Sequence, residues 1–193
     1  MSKLEPLRVG HAEAVLAFER DNRAYFATSI SDRGDAFFEH FAARFQDSLA
    51  EQDAGSCAFF LLVDDAGEVI GRFNLYGLED GSAKVGYRVA RRAAGHGIAT
   101  AAVRELCEIA SSLGLRTLTA ATSHGNVASQ KVLIKAGFER AGAADPSELG
   151  GKQGARYRRG GKQYLMDQLR RPRIGAVGDR PDVPHDRATG VEV

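Results

Sequence analysis

VGYRVARRAAGHGIATAAVRELCEIA, residues Val85 to Ala110, starts as a strand and ends as a helix, with the hexapeptide GHGIAT at the change. The helix is expected from Thr100 to about Leu113, with Val103, Leu106, Cys107, Ala110 and Leu113 on its buried face and Gly114 suited to the C′ position. Gly95, His96, Gly97, Ile98, Ala99 and Thr100 fall where the first N–H groups of a helix have no intrahelical partner. Glycines let a ligand come close to the main chain, and those N–H groups with the helix dipole attract anions. Two familiar phosphate loops do not fit. There is no Gly-Lys-Ser/Thr after a four-residue spacer, and Thr100 stands where a dinucleotide fingerprint needs its third glycine. Taken alone, Gly-x-Gly also suits a plain tight turn.

The flanking sequence supplies a fold. Residues 1–10 read as an edge strand leading into a helix. HAEAVLAFERDNRAYF carries Ala14, Val15, Phe18 and Tyr25 near helical spacing, and DAFFEHFAARFQDSLAEQ carries Phe38, Phe41, Ala42, Phe45 and Leu49 as one stripe. ATSISDRGD between them is a loop by composition. CAFFLLV, EVIGRFNLYGL and KVGYRVA are β-rich runs separated by DDAG and EDGS, which predicts three antiparallel strands joined by hairpins. After the glycine segment and its helix come a strand, LRTLTAAT, and a second helix, NVASQKVLIKAGFER. That helix ends at Gly137, with Phe138 placed for the hydrophobic contact of a Schellman cap. ARYRRGGKQYLMDQL reads as a final hairpin turning at RGGK. The order β-α-α-β-β-β-α-β-α-β-β predicts an α/β fold: a mixed, mostly antiparallel sheet with helices on both faces. The strand–helix–strand unit around residues 85–122 should be a parallel crossover. One domain is expected over residues 1–170, with residues 171–193, rich in Pro, Gly and charge, as a disordered tail.

Composition narrows the function. The chain has 193 residues, 44% hydrophobic and 26% charged, ordinary for a globular protein with a sizeable core. A net charge of +1 argues against a nucleic-acid partner. No run approaches eighteen apolar residues and MSKLEPLRVG has no apolar signal core, so no membrane partner and a cytoplasmic location are expected. Cys57 and Cys107 are expected reduced and buried, and the five histidines form no metal-ligand spacing, so no metal is expected.

The glycine segment resembles motif A of the GNAT superfamily of acetyl-CoA-dependent N-acetyltransferases, Q/R-x-x-G-x-G/A, whose backbone amides cradle the pyrophosphate of coenzyme A. Arg92-Ala-Ala-Gly95-His-Gly97 matches literally. The register Ala94-Gly95-His96-Gly97-Ile98-Ala99 lies nearer the helix start, aligns with the family's usual QGxGxA, and is preferred; Ala94 then replaces the Gln/Arg. HGNVASQKVLIKAGFER, residues 124–140, resembles the Asn-x-x-Ser…Gly-Phe segment of the RimJ/RimL branch, which acetylates N-terminal amines of ribosomal proteins. Asn126 and Ser129 match its polar positions, although an N-cap and a first-turn polar residue would also account for them. GYRVA and ERDNRAYF are similar to the branch's fourth strand and first helix. The resemblance covers roughly residues 5–170.

What the resemblance implies is acyl transfer from a thioester to an amine, which needs a bound donor, a polarised carbonyl, a neutral amine and a protonated leaving thiol. In the family the fourth strand splays from the fifth and pantetheine lies in the gap, so backbone groups near Val89 and Ala90 would pair with acetyl-CoA and polarise its thioester oxygen. Asn126 would bond the pantetheine amides, Ser129 would protonate the departing thiolate, and no covalent acyl-enzyme is implied. KVGYRVA lacks the glutamate that some members use as base. An α-amine, with a reference pKa of about 8, needs less help than a lysine at about 10.4, which favours an α-amine acceptor with a water chain taking the proton. Glu19, Asp21 and Tyr87 are candidate relays. The expected acceptor is therefore the N-terminal amine of a protein or peptide. A small amine, antibiotic or polyamine, is the alternative, although TSISDRGD and ARYRRGGK, mixed to basic, argue mildly against a polycation. A non-catalytic acyl-CoA-binding domain is the lesser alternative. A homodimer is left open.

Overall fold

The computed structural model describes residues 2–160, and the expected tail and the second arm of the expected final hairpin lie outside them. The elements are β1 (Lys3–Pro6), α1 (Ala12–Asp21), α2 (Arg23–Phe26), α3 (Asp35–Glu39), α4 (Phe41–Asp53), β2 (Cys57–Val63), β3 (Val69–Glu79), β4 (Ser82–Val89), α5 (Ile98–Ser112), β5 (Thr117–Ser123), α6 (Val127–Lys135), β6 (Glu139–Ala143) and β7 (Gly154–Gly160). The seven strands form one sheet in the order β1-β2-β3-β4-β5-β7-β6. Only β4 and β5 run parallel; the other neighbours are antiparallel. The mixed α/β architecture expected from the sequence is present.

The β3–β4 hairpin closes on Asp80 (φ 49°) and Gly81 (φ 72°). Two successive positive φ values define a type I′ turn, whose twist matches that of its strands, and Asp-Gly is the pair that adopts it readily. It fixes Phe73 opposite Tyr87 and Arg72 opposite Arg88, one pair on each face of the sheet.

Each face carries its own core. Phe73, Leu75, Val85 and Tyr87 point to α5 and α6, where Val103, Leu106, Ala110 and Leu133 are buried to 0% exposure. Phe73 is fully buried and stacks on Tyr87 at 5.6 Å; burying such a ring contributes roughly 1.5–3 kcal/mol. On the other face Phe59 and Leu61 pack with Val15 of α1, Phe37 of α3, and Phe41 and Phe45 of α4. Both α5 and α6 end in Schellman caps: Leu115 and Gly114 donate to Ala110 and Ser111, and Phe138 and Gly137 donate to Leu133 and Ile134. Phe138, 2% exposed, provides the expected contact.

Several details differ from expectation. The first helix breaks at Asn22, whose side chain caps back to Phe18 O at 2.9 Å and accepts from the Arg91 N–H at 3.0 Å. The second breaks at His40, so Phe37 rather than Ala42 joins the buried stripe. Leu113 is 52% exposed because Schellman closure turns it out at the C-cap. Cys57 is half-buried, not buried. Among the described residues the last two strands are β6, which the sequence reading did not anticipate, and β7, which pairs with β5 on one side and β6 on the other.

Candidate functional site

Strands β4 and β5 pair only at Ser82–Lys84 with Thr117–Thr119. Beyond that point β4 runs to Val89 and β5 to Ser123 without a rung between them. The strands therefore splay. The Ala90 N–H donates to Ile70 O at 2.8 Å. Antiparallel alternation then turns Arg88 toward β3 as well and leaves the N–H and C=O of Tyr87 and Val89 facing the gap. Such an edge can accept one more extended chain. Of the two residues expected to pair with the cofactor, Val89 faces the gap and Ala90 faces β3. Ala90 also accepts from Ala93 at 2.9 Å, so both its backbone groups are committed, and Val89 and Tyr87 present the open ones.

The glycine segment lies at the mouth of this gap. Gly95 (φ 84°) and Gly97 (φ 78°) are left-handed, and nothing within 4 Å would meet a Cβ at either position, so glycine is needed here for conformation. Gly97 is the N-cap of α5, and no side chain caps it. The first intrahelical bond runs from Ala101 to Gly97 O, so the N–H groups of Ile98, Ala99 and Thr100 precede the ladder. Ala94 is extended and half-buried, and His96 is exposed. Arg92, which begins the literal motif register, is spent elsewhere, on Asp64 at 3.0 Å and Glu68 at 2.8 Å. These residues fit a ligand with a pyrophosphate at one end and a pantetheine-like chain at the other.

Behind β4, on the α6 side, stand Asn126 and Ser129. Asn126 is the N-cap of α6 and accepts from the Ser129 N–H at 3.1 Å. Ser129 is 5% exposed and its hydroxyl lies 3.1 Å from the Tyr87 hydroxyl. Burial pushes the Tyr87 phenol well above its ordinary value, more than the Ser129 bond offsets, so Tyr87 stays protonated and serves as a donor, not a base.

The opposite face of β4 is different in kind. Glu19 of α1 is 1% exposed and meets three arginines: Arg72 of β3 at 2.6 Å, Arg88 of β4 at 3.3 Å and Arg33 of the α2–α3 loop at 3.7 Å. Burial alone would raise its carboxyl, but the guanidinium groups of Arg72, Arg33 and Arg88 together hold it below the ordinary value of 4.5. Glu19 is thus a locked counter-ion, not the relay the sequence suggested. Asp21 is exposed at the end of α1.

Sequence reasoning missed Glu148. It lies on the short helical turn between β6 and β7, which packs through Leu149 against Ala121 of the splayed half of β5. Its Oε1 is held by Arg156 at 3.3 Å and Lys84 at 3.6 Å, whereas Oε2 is buried with no partner. No motif marks it; only the fold carries residue 148 to β4. Among the described residues no cluster of His, Cys, Asp and Glu could hold a metal, and no helix is long and apolar enough to cross a membrane.

Residues 3–139 match the model of the acetyltransferase (GNAT) domain. The chain is 30% identical over 150 residues to the probable N-acetyltransferase YjcK of Bacillus subtilis (strain 168), covering 73% of this chain and 82% of that protein. Its fold is similar to that of the ribosomal-protein-S5-alanine acetyltransferase of Vibrio fischeri, with a TM-score of 0.76 at 20% identity over 85% of this chain and 98% of that one. It is also similar to the spermidine N-acetyltransferase of Vibrio cholerae, solved in complex with CoA and spermine, with a TM-score of 0.69 at 16% identity over 85% and 98%. The chain belongs to the GNAT acetyltransferase family and is an N-acetyltransferase with acetyl-CoA as cosubstrate.

Proposed function

We propose that the enzyme transfers the acetyl group directly, in a ternary complex, to the N-terminal α-amine of a protein or peptide. The observation that carries this reading is the gap between β4 and β5, with the open backbone groups of Tyr87 and Val89 on one wall and the Tyr87–Ser129 hydroxyl pair behind it. Acetyl-CoA supplies a thioester whose thiolate is a fair leaving group. The N–H groups of Ile98, Ala99 and Thr100, opened by Gly95 and Gly97, hold its pyrophosphate, with Ala94 and His96 on the rim. The Val89 N–H polarises the thioester oxygen. Ser129 gives a proton to the leaving thiolate from a hydroxyl that the Tyr87 hydroxyl holds at 3.1 Å, and solvent restores it as the products leave. Asn126 sets the position of Ser129 through its cap bond.

With α6 covering one side of β4, the amine arrives from the side of α1 and of Glu148. Glu148 Oε2, buried and without a partner, accepts the proton released as the amine attacks. This replaces an unaided water chain. We place the enzyme in the cytoplasm, which two unpaired cysteines suit, and take residues 1–170 as the catalytic domain, since β6 and β7 carry the sheet past the matched segment.

Thiol release from acetyl-CoA with N-terminal peptides and small amines tests the reading. Peptide-dependent release is expected. Release with polyamines alone would move the acceptor to the small-amine class, and acetyl-CoA binding without release on any acceptor would make this a binding domain.

A further inference from the structure

On the acceptor face of β4 three arginines converge on one buried carboxylate. Arg72 is 9% exposed and its Nε is a buried donor with no acceptor. Arg33 lies 3.7 Å from Glu19 and stacks over Phe37, with its guanidinium pulled down to about 10 by burial first and then by repulsion from Arg88. Arg88 reaches the same carboxylate and stacks over Phe26. Arg72 and Arg88 stand on strands, and Arg33 and Arg88 lie against rings; arginines held this way are prepared to grip a planar anion. Two residues along β3, Asn74 Oδ1 is likewise buried without a partner, and its cross-strand neighbour Gly86 puts no side chain on this face between Lys84 and Arg88. A buried donor and a buried acceptor, both unsatisfied, need an explanation in a native fold. A substrate supplies one.

We infer that the acceptor carries a carboxylate close to its amine, and that Arg72, Arg88 and Arg33 bind it. The inference rests on the transferase reading and deepens it. Lys84, which holds Glu148, and Arg88 stand on the same face of β4. An acceptor with its amine toward Glu148 and its carboxylate toward the arginines carries the two groups on one short chain. A peptide with an acidic residue next to its N-terminus has this chemistry, and so does a short amino acid. A polyamine has the opposite charge and is rejected by the same arginines.

The test measures kcat/KM by thiol release for matched acceptors. One arm compares peptides with Glu or Gln at the second position. Another compares an ω-amino acid with its carboxamide, and a third uses spermidine. The carboxylate member of at least one pair is expected to exceed its neutral isostere by about tenfold or more, and the pair that shows it identifies the source. Arg33→Gln, at a side chain that keeps 29% of its surface exposed, should shrink that ratio severalfold. If it fails to fold, competitive inhibition by succinate against the acceptor but not against acetyl-CoA replaces it. Equal rates for acid and amide, an unchanged ratio in Arg33→Gln, or preferred turnover of spermidine would overturn the inference while leaving the transferase standing. Acetyl-CoA binding with no release on any acceptor would overturn both.

Discussion

The two sides of β4 are built from different materials. On the side proposed for the donor the available groups are main-chain ones: N–H groups at the start of α5 and the open backbone groups of Tyr87 and Val89. On the opposite face, proposed for the acceptor, stand charged side chains brought from distant parts of the sequence, with Glu19 meeting Arg72 across 53 residues and Arg88 across 69. A backbone site binds whatever has the right polymer shape and phosphates. A side-chain site can be rebuilt one residue at a time, so it is where members of one family part company over their acceptors.

Substitutions on the two sides should therefore fail in different ways. The largest effect is expected for Glu19→Ala, which leaves buried guanidinium groups facing one another; loss of a buried partner typically costs about 3–5 kcal/mol. Chemical denaturation reads it directly. Because the folded Glu19 carboxyl lies below 4.5, its contribution is complete above that pH and disappears as pH falls through the lower, folded value. Glu19→Gln should therefore flatten the acid limb of the stability profile, and an unaltered limb would remove the ion-pair account.

Gly97→Ala belongs to the donor side. A left-handed Cβ costs about 1–2 kcal/mol, and relaxation of the turn should raise the KM for acetyl-CoA while the KM for the acceptor holds. A rise in both would blur the division between the two faces. Ser129→Ala should lower kcat about tenfold, or ~1.4 kcal/mol of barrier, at unchanged acetyl-CoA affinity; an unchanged rate would take Ser129 out of the proton path. Arg92→Ala, at the surface pair with Asp64 and Glu68, should leave the KM for acetyl-CoA unaltered. A clear increase would restore the literal motif register beginning at Arg92.

The same contrast explains what could be read in the sequence. The backbone features were legible because they depend on local sequence: glycine at Gly97 for a left-handed helix entry, Asp80-Gly81 for a type I′ turn, and Gly137-Phe138 for a Schellman closure. Each needs only neighbours in sequence. Strand β6 escaped notice because ERAGA is exposed at every position and lies at the sheet edge, where no apolar alternation is required. Its membership comes from pairing with β7. Glu148 was illegible for a related reason: SEL is a common loop sequence, and only the packing of Leu149 on Ala121 brings the carboxylate to Lys84. Glu19 looked like a free acid until the fold surrounded it with arginines.

The central claim is that acetyl-CoA completes the β4–β5 gap through main-chain groups. Residue-resolved amide hydrogen exchange, with and without saturating coenzyme A, tests it most directly. The account predicts new protection at Tyr87 and Val89 and at Ile98–Thr100, with Arg88 and Ala90, already turned toward β3, unchanged. Protection that spared Tyr87 and Val89, or that appeared equally at Arg88 and Ala90, would contradict it.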